Sequence, residues 1–286
     1  MKKFLIFFNV CFCVLFSNAQ VKNKYGQDVV RKIEVYGDFD MTKPYIFIEF
    51  NYDNSLNLEE IIINAPSSGK IFWKMKEDVL TRIEYDVNGK IRKDLVYKYN
   101  INDGLVTKCV IDNIGLEDNV LRFLYVYEYD DTNRLISEYK RDFFRESYEN
   151  FVELSDRYCE VFEWDVDNRV FTSGQITWQW KIGQKFNGLI QYNNRKYYDE
   201  LLNQTNIDLP MLYNNTVSCD RFERVTEWCG KHSRRLIEKD NAIYFDYTYD
   251  NESGGNDLGD TRGKITQMDV YNGKHLEKTY KIYYWE

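Results

Sequence analysis

Along most of this chain, hydrophobic and polar residues alternate. In Gln175-Ile176-Thr177-Trp178-Gln179-Trp180-Lys181-Ile182 the apolar residues take every second position. The end of the chain repeats the pattern, with Tyr280, Ile282 and Tyr284 in one register and Lys281, Tyr283 and Trp285 in the other. A period of two is the signature of a strand with two unlike faces. Asn88-Gly89, Asp103-Gly104, Asn187-Gly188 and Asn272-Gly273 punctuate the alternation and predict tight hairpins. For Asn88-Gly89 the expectation is a two-residue type I′ loop, with positive φ at both residues. Two stretches depart from period two. Phe144, Tyr148, Phe151, Val152 and Ser155 predict a short helix within 143–156, and Tyr197, Tyr198, Leu201 and Leu202 predict another within 195–204. Residues 221–228 read as extended, and the glycine-rich, acidic run 251–260 as a loop. The fold expected is mainly β: an antiparallel meander of repeated hairpins, as an open sheet or sandwich, with one or two short helices.

One phrase recurs within this pattern. It reads Ile83-Glu84-Tyr85-Asp86-Val87-Asn88-Gly89-Lys90-Ile91, then Tyr127-Glu128-Tyr129-Asp130-Asp131-Thr132-Asn133-Arg134-Leu135, then Phe162-Glu163-Trp164-Asp165-Val166-Asp167-Asn168-Arg169-Val170. Each copy is strand, turn, strand. Residues at i and i+2 share a face, so Tyr127 and Tyr129 pack on one side. The Asp that follows bonds backbone N–H groups of the turn. The basic residue after the turn lies across the hairpin from acidic ones. Every residue of the phrase therefore has a structural task.

The phrase resembles the tyrosine-aspartate repeat of the RHS/YD family of bacterial cell-surface proteins. The matching residues are Tyr85-Asp86 with Gly89-Lys90-Ile91, Tyr129-Asp130 with Asn133-Arg134-Leu135, and Trp164-Asp165 with Asn168-Arg169-Val170. Tyr249-Asp250 with Gly263-Lys264-Ile265 is an interrupted copy. The resemblance implies export and a β scaffold, and it implies no catalytic residues. The copies are unevenly spaced, which suits a meandering sheet, as in small secreted β proteins with similar hairpins, better than the family's large spiral shell.

The start of the chain supports export. Lys2 and Lys3 precede an apolar run, 4–16, and Ser17-Asn18-Ala19 supplies small residues where a signal peptidase cuts. Cleavage after Ala19 leaves Gln20 first and one repeat-built domain over 20–286. The leader is too short to cross a bilayer comfortably, and no later run of the sequence is long and apolar enough for a transmembrane helix. Neither Cys11 nor Cys13 sits where lipidation would place it. Without Lys2 and Lys3, 36 of the 38 Lys and Arg stand against 46 Asp and Glu, a net charge of −10. That charge argues against nucleic acid or anionic lipid as a partner. Four cysteines remain, Cys109, Cys159, Cys219 and Cys229. Export makes one or two disulfides reasonable, with the Cys219–Cys229 pairing disfavoured across an extended 221–228.

Candidate chemistry is thin. Glu59 with Glu60, or Asp165 with Asp167, offers the paired carboxylates of a glycosidase, but 46 acidic residues place carboxylates side by side by chance. Asp165, Asp167 and Asn168, or Asn256, Asp257 and Asp260, offer oxygens to Ca²⁺ without matching its loop pattern. His232, Ser233 and Cys229 lie close in sequence, yet no G-x-S-x-G elbow accompanies them. Neither a close cysteine pair for zinc nor a phosphate loop is present. No cofactor is expected. The sharpest site hypothesis is an aromatic platform for sugar rings, built on Trp178, Trp180 and Tyr192 with Tyr197 and Tyr198 nearby. Packing of these residues in the core is the competing reading. The function read from the sequence is therefore non-enzymatic: a secreted binding or cell-envelope structural protein whose partner is a protein or a glycan. An outer-membrane β-barrel and a secreted glycan hydrolase are the alternatives.

Overall fold

The computed structural model describes residues 21–285 apart from 24, 38–39, 94, 114–120, 146–150, 165–169, 182–183, 186–189, 193–194, 216–220 and 251–262. Eighteen strands, all antiparallel to their sheet neighbours, dominate it. β1 (Val30–Gly37), β2 (Ile46–Tyr52), β3 (Leu58–Ala65), β4 (Gly69–Lys76) and β5 (Val79–Tyr85) run up and down in sequence order. β14 (Arg195–Leu202), β15 (Arg235–Asp240), β16 (Ile243–Tyr249), β17 (Ile265–Asn272) and β18 (His275–Tyr284) complete the same ten-stranded sheet. The two runs join where β18 pairs with β1, Ile33 opposite Ile282 and Val35 opposite Tyr280. The second sheet holds β6 (Leu95–Asn102), β7 (Leu105–Asn113), β8 (Leu121–Tyr129), β9 (Leu135–Arg145), β10 (Phe151–Trp164), β11 (Val170–Lys181), β12 (Gln184–Lys185) and β13 (Ile190–Tyr192).

Alternation along the strands builds the interior. Ile46, Ile48 and Phe50 of β2 are buried, whereas Glu49 and Asn51 between and beyond them are exposed. Phe245 and Tyr247 of β16 are buried between exposed Tyr244, Asp246 and Thr248. Residues of both sheets meet in a single apolar cluster, with Trp73, Tyr280 and Phe50 its largest fully buried members. The predicted facing of the last strand holds, with Tyr280 and Ile282 inside and Tyr283 outside.

The phrase forms the hairpins expected of it, with a different loop. Gly89 N–H donates to Asp86 O (3.0 Å) and Asp86 N–H to Lys90 O (2.9 Å). Positive φ occurs at Gly89, +75°, and not at Asn88. The loop is thus a three-residue turn closed by a left-handed bulge residue, not a type I′ pair. Asp86 Oδ1 accepts from the N–H groups of Asn88 (2.8 Å) and Lys90 (2.9 Å), which favours the longer loop. Asp130 repeats every bond, with Asn133 in the left-handed position. Asp53 repeats them too, with Leu56 there at φ +61°, a copy the sequence hides because Leu stands where Gly or Asn is looked for. Even the interrupted copy keeps the clamp: Asp250 N–H donates to Lys264 O and Lys264 N–H to Asp250 Oδ1 (2.7 Å). The third copy's turn lies outside the described residues, as do Asn187-Gly188 and the 251–260 run. Asp103-Gly104 is a true two-residue loop with positive φ at both residues.

Where the structure describes them, both predicted helices are strands. Within 143–156 the described residues belong to β9 and β10, which pair with each other. Within 195–204 the chain forms β14, whose register against β15 slips on both sides of Tyr197. Those irregularities bring Tyr197 and its neighbour Tyr198 both against the core, imitating a helical period. The helical structure lies elsewhere: α1 (Leu209–Asn215) and two 3₁₀ turns, Phe222–Val225 and Glu227–Cys229. The extended reading of 221–228 is therefore corrected, and with it the argument against the Cys219–Cys229 pairing. Cys109 and Cys229 are both buried free thiols; Cys219 and the side chain of Cys159 lie outside the described residues.

Candidate functional site

Between β14 and β15 the chain leaves the sheet and runs through the interior. Asn206 anchors its entry: Oδ1 accepts from Val30 N–H (3.0 Å) and Nδ2 donates to Tyr52 Oη (2.8 Å). Asp208 caps α1, its Oδ1 accepting from Met211 N–H (3.0 Å). The first 3₁₀ turn then faces both sheets. Phe222 packs on Phe50 and Trp73 of the first sheet, at 6.4 and 5.8 Å between ring centroids. Arg221 and Arg224 pair with the fully buried carboxylate of Glu138 on β9 of the second. Tyr127 Oη donates to Glu223 (3.0 Å), whose carboxyl is pushed up by burial. A further buried pair, Arg82 with Glu84 on β5, lies close by, the Arg82 guanidinium stacked 3.8 Å from the Tyr97 ring centroid.

The second 3₁₀ turn fixes the far end of the segment. Glu227 accepts from Leu58 N–H (3.0 Å), and the Trp228 indole donates to Leu58 O (3.3 Å). Gly230 follows at φ +89°; a Cβ there would lie 2.4 Å from Asn133 O, so only glycine lets the segment press on the β8–β9 turn. Lys231 N–H donates to that same carbonyl (2.8 Å).

The segment thereby floors a cavity of about 800 Å³ at one end of the sheets. Its rim is made by the β4–β5, β6–β7 and β8–β9 turns, through Asp78, Asp103, Gly104, Asn133 and Arg134. Trp164, Tyr25 and Gln204 contribute to its sides, and Glu227, Trp228, Lys231, His232 and Arg234 come from the interior segment. The volume is in the range of small-molecule sites.

The candidate hydrolase groups among the described residues do not converge. His232 Nδ1 stands 3.9 Å from Asp208 Oδ2, beyond hydrogen-bond reach, and burial lowers the imidazole's affinity for a proton. Ser233 Oγ donates to Arg235 O (3.0 Å), not to the histidine. Burial pushes the Cys229 thiol up, away from the reactive thiolate. Glu59 pairs with Lys74 (3.7 Å), and Glu60 accepts from Asn51 (2.9 Å) on the open sheet face. Among the described residues no cluster of His, Cys, Asp and Glu could hold a metal ion. Asp165, Asp167, Asn168, Asn256, Asp257 and Asp260 lie outside them.

The aromatic platform is divided. Trp178 and Trp180 fall on β11, opposite Arg157 and Lys185, and Tyr192 falls on β13 opposite Gly174; their side chains lie outside the described residues. Tyr197 and Tyr198 pack against the core, and Tyr198 Oη donates to Phe245 O (2.9 Å). No motif of the sequence marks the cavity. Three of its lining residues, Asn133, Arg134 and Trp164, belong to the repeated phrase, but the sequence holds no sign that residues 231–234 would bring cations to meet them.

No protein-family model matches the chain, and no curated protein matches it. In fold it is similar to the crystal structure of a porin-like protein from Bacteroides vulgatus, with a TM-score of 0.53 and 11% identity over 90% of this chain and 99% of that one. A porin-like protein from Bacteroides uniformis aligns with a TM-score of 0.44 and 14% identity over 91% and 100%. Among the described residues no helix is long and apolar enough to cross a membrane, which leaves β-barrels aside.

Proposed function

We propose that the chain is exported and acts in the cell envelope as a water-facing, non-catalytic binding protein, with the cavity at the turn end as its ligand site. The polarity of the strands carries this reading. Inward positions are largely apolar or paired, and described residues of the 203–215 and 221–234 stretches pack into the interior. Charges are spread over the outward face: Lys32 and Glu34 on β1, Glu49 on β2, Lys70 and Lys74 on β4, Asp246 on β16 and Lys281 on β18. Several outward aromatics lie beneath lysines, as Phe72 beneath Lys70 (4.6 Å) and Tyr36 beneath Lys281 (4.6 Å). A lipid-facing strand would be apolar at those positions, since a Lys or Arg at the bilayer midplane costs about 2–4 kcal/mol. The leader and the Ser17-Asn18-Ala19 site support export.

An outer-membrane barrel is the second reading. It draws on the likeness in fold to the B. vulgatus protein and on the pairing of β1 with β18. Fractionation of cells expressing the full chain tests the choice. The proposed function puts a species beginning at Gln20 in the aqueous fraction without detergent. Retention in membranes after alkaline extraction, or channel conductance in planar bilayers, would overturn it in favour of the barrel.

A further inference from the structure

The chain is acidic, yet the cavity is lined by four Lys and Arg, namely Lys22, Arg134, Lys231 and Arg234, against Asp78, Asp103 and Glu227. Three of the cations share one wall, because backbone bonds tie their segments together. Lys231 N–H bonds the β8–β9 turn that carries Arg134, and Asn203 N–H donates to Arg234 O (2.7 Å). Arg134 is held by Asp130, at 2.6 Å. Lys231 and Arg234 are exposed and make no ion pair among the described residues. Beside them stands Trp164, half-buried and fixed by its indole N–H to Leu135 O (2.8 Å), with the Arg134 guanidinium 5.6 Å from its ring centroid. Two amide side chains on the lining, Asn133 and Gln204, make no hydrogen bond among the described residues. His232 lines the cavity too, and its Nε2 is buried without a hydrogen-bond partner.

Unpaired cations take anions, free amides take hydroxyl groups, and a fixed indole takes the flat apolar face of a sugar ring. The geometry points to an acidic oligosaccharide as the ligand, its carboxylates on Lys231 and Arg234, a ring against Trp164 and its hydroxyls on Asn133 and Gln204. This rests on the reading of the cavity as the ligand site. The volume suits a short chain of sugars better than a single one.

Calorimetric titration of the mature chain with trigalacturonic acid tests it, with the neutral trisaccharide maltotriose and a pentaglutamate peptide alongside. Binding of the acidic sugar alone is expected. The double variant Lys231→Gln, Arg234→Gln should lose about tenfold or more in affinity with an unchanged melting temperature, because both side chains are exposed. Trp164→Ala should weaken the same titration. No binding by the folded, soluble protein, equal binding of pentaglutamate, or full affinity in the double variant would overturn the inference and leave the envelope reading standing. A chain that enters bilayers would instead remove the reading beneath it.

Discussion

The turn after Tyr85 and the turn after Tyr129 can be laid over one another bond for bond, yet the strands leading into them face opposite ways. On β8, Tyr125 and Tyr127 are buried and Tyr129 is half-buried, its Oη donating to Val106 O (2.6 Å). On β5 the corresponding Ile83 is 37% exposed, and Tyr85 lies edge-on to the outward Phe72. The residues of β5 that turn inward are Leu80, Arg82 and Glu84. The turn is set by five consecutive residues and needs nothing else. Which face goes inward is set by what waits inside, and beside β5 that is an ionic cluster, not an apolar wall. Local grammar specifies the hairpin; the interior segment decides its orientation.

If that is so, truncations at matched positions must differ. Tyr127→Ala empties a core site and removes the donor to the buried Glu223, and should cost about 3–5 kcal/mol. Ile83→Ala, at the equivalent place on β5, should cost about 1 kcal/mol or less. Chemical denaturation of both variants makes the comparison, and equal losses would break it.

The two aspartates sharpen the comparison at the level of the turn. Asp130 accepts from Arg134 Nε as well as from two backbone N–H groups, whereas Asp86 has the backbone bonds. Asp130→Ala should therefore cost about 1.5–3 kcal/mol and Asp86→Ala about 0.5–1.5 kcal/mol. Partial burial raises the Asp130 carboxyl, but the hydrogen bonds from Arg134 and Thr132 outweigh it and hold it down at about 2. A carboxyl lowered in the folded state stabilises above its ordinary value of 3.8, and that stability is lost as pH falls through about 2. Melting temperature against pH between these values should fall more steeply in the wild type than in Asp130→Ala.

The smallest effect has the opposite sign. Leu56 occupies the left-handed position that Gly89 and Asn133 fill in the sister turns. Leu56→Asn should relieve that strain and raise stability by about 0.5–1 kcal/mol, read from the denaturation midpoint.

The same contrast explains what the sequence reveals. Hairpins are short-range, so Asp86, Asp130 and the interrupted Asp250 turn were all visible as phrases. Strand alternation placed Tyr280 and Ile282 correctly for the same reason. The interior segment is short-range in nothing. Its helix spans seven residues, too few to show a period, and its first 3₁₀ turn sets Phe222 and Val225 three apart around Glu223 and Arg224, a single repeat too short to mark a helix. Glu138 looks like a solvent-facing position until Arg221 and Arg224 arrive from far along the chain, and nothing local marks Arg82 and Glu84 as a pair turned inward. The cavity inherits that opacity, because its cations and its tryptophan meet only in the folded chain.

Carboxyl footprinting of the native chain in detergent-free buffer, read residue by residue by mass spectrometry, tests the central claim most directly: the inside is filled and the outside faces water. The account predicts rapid modification of the outward Glu49 and Asp246 and none of Glu138 and Glu223, which are fully buried. Labelling of Glu138 and Glu223 with protection of Glu49 and Asp246 would mean a wet lumen inside a lipid-facing shell, and would contradict it.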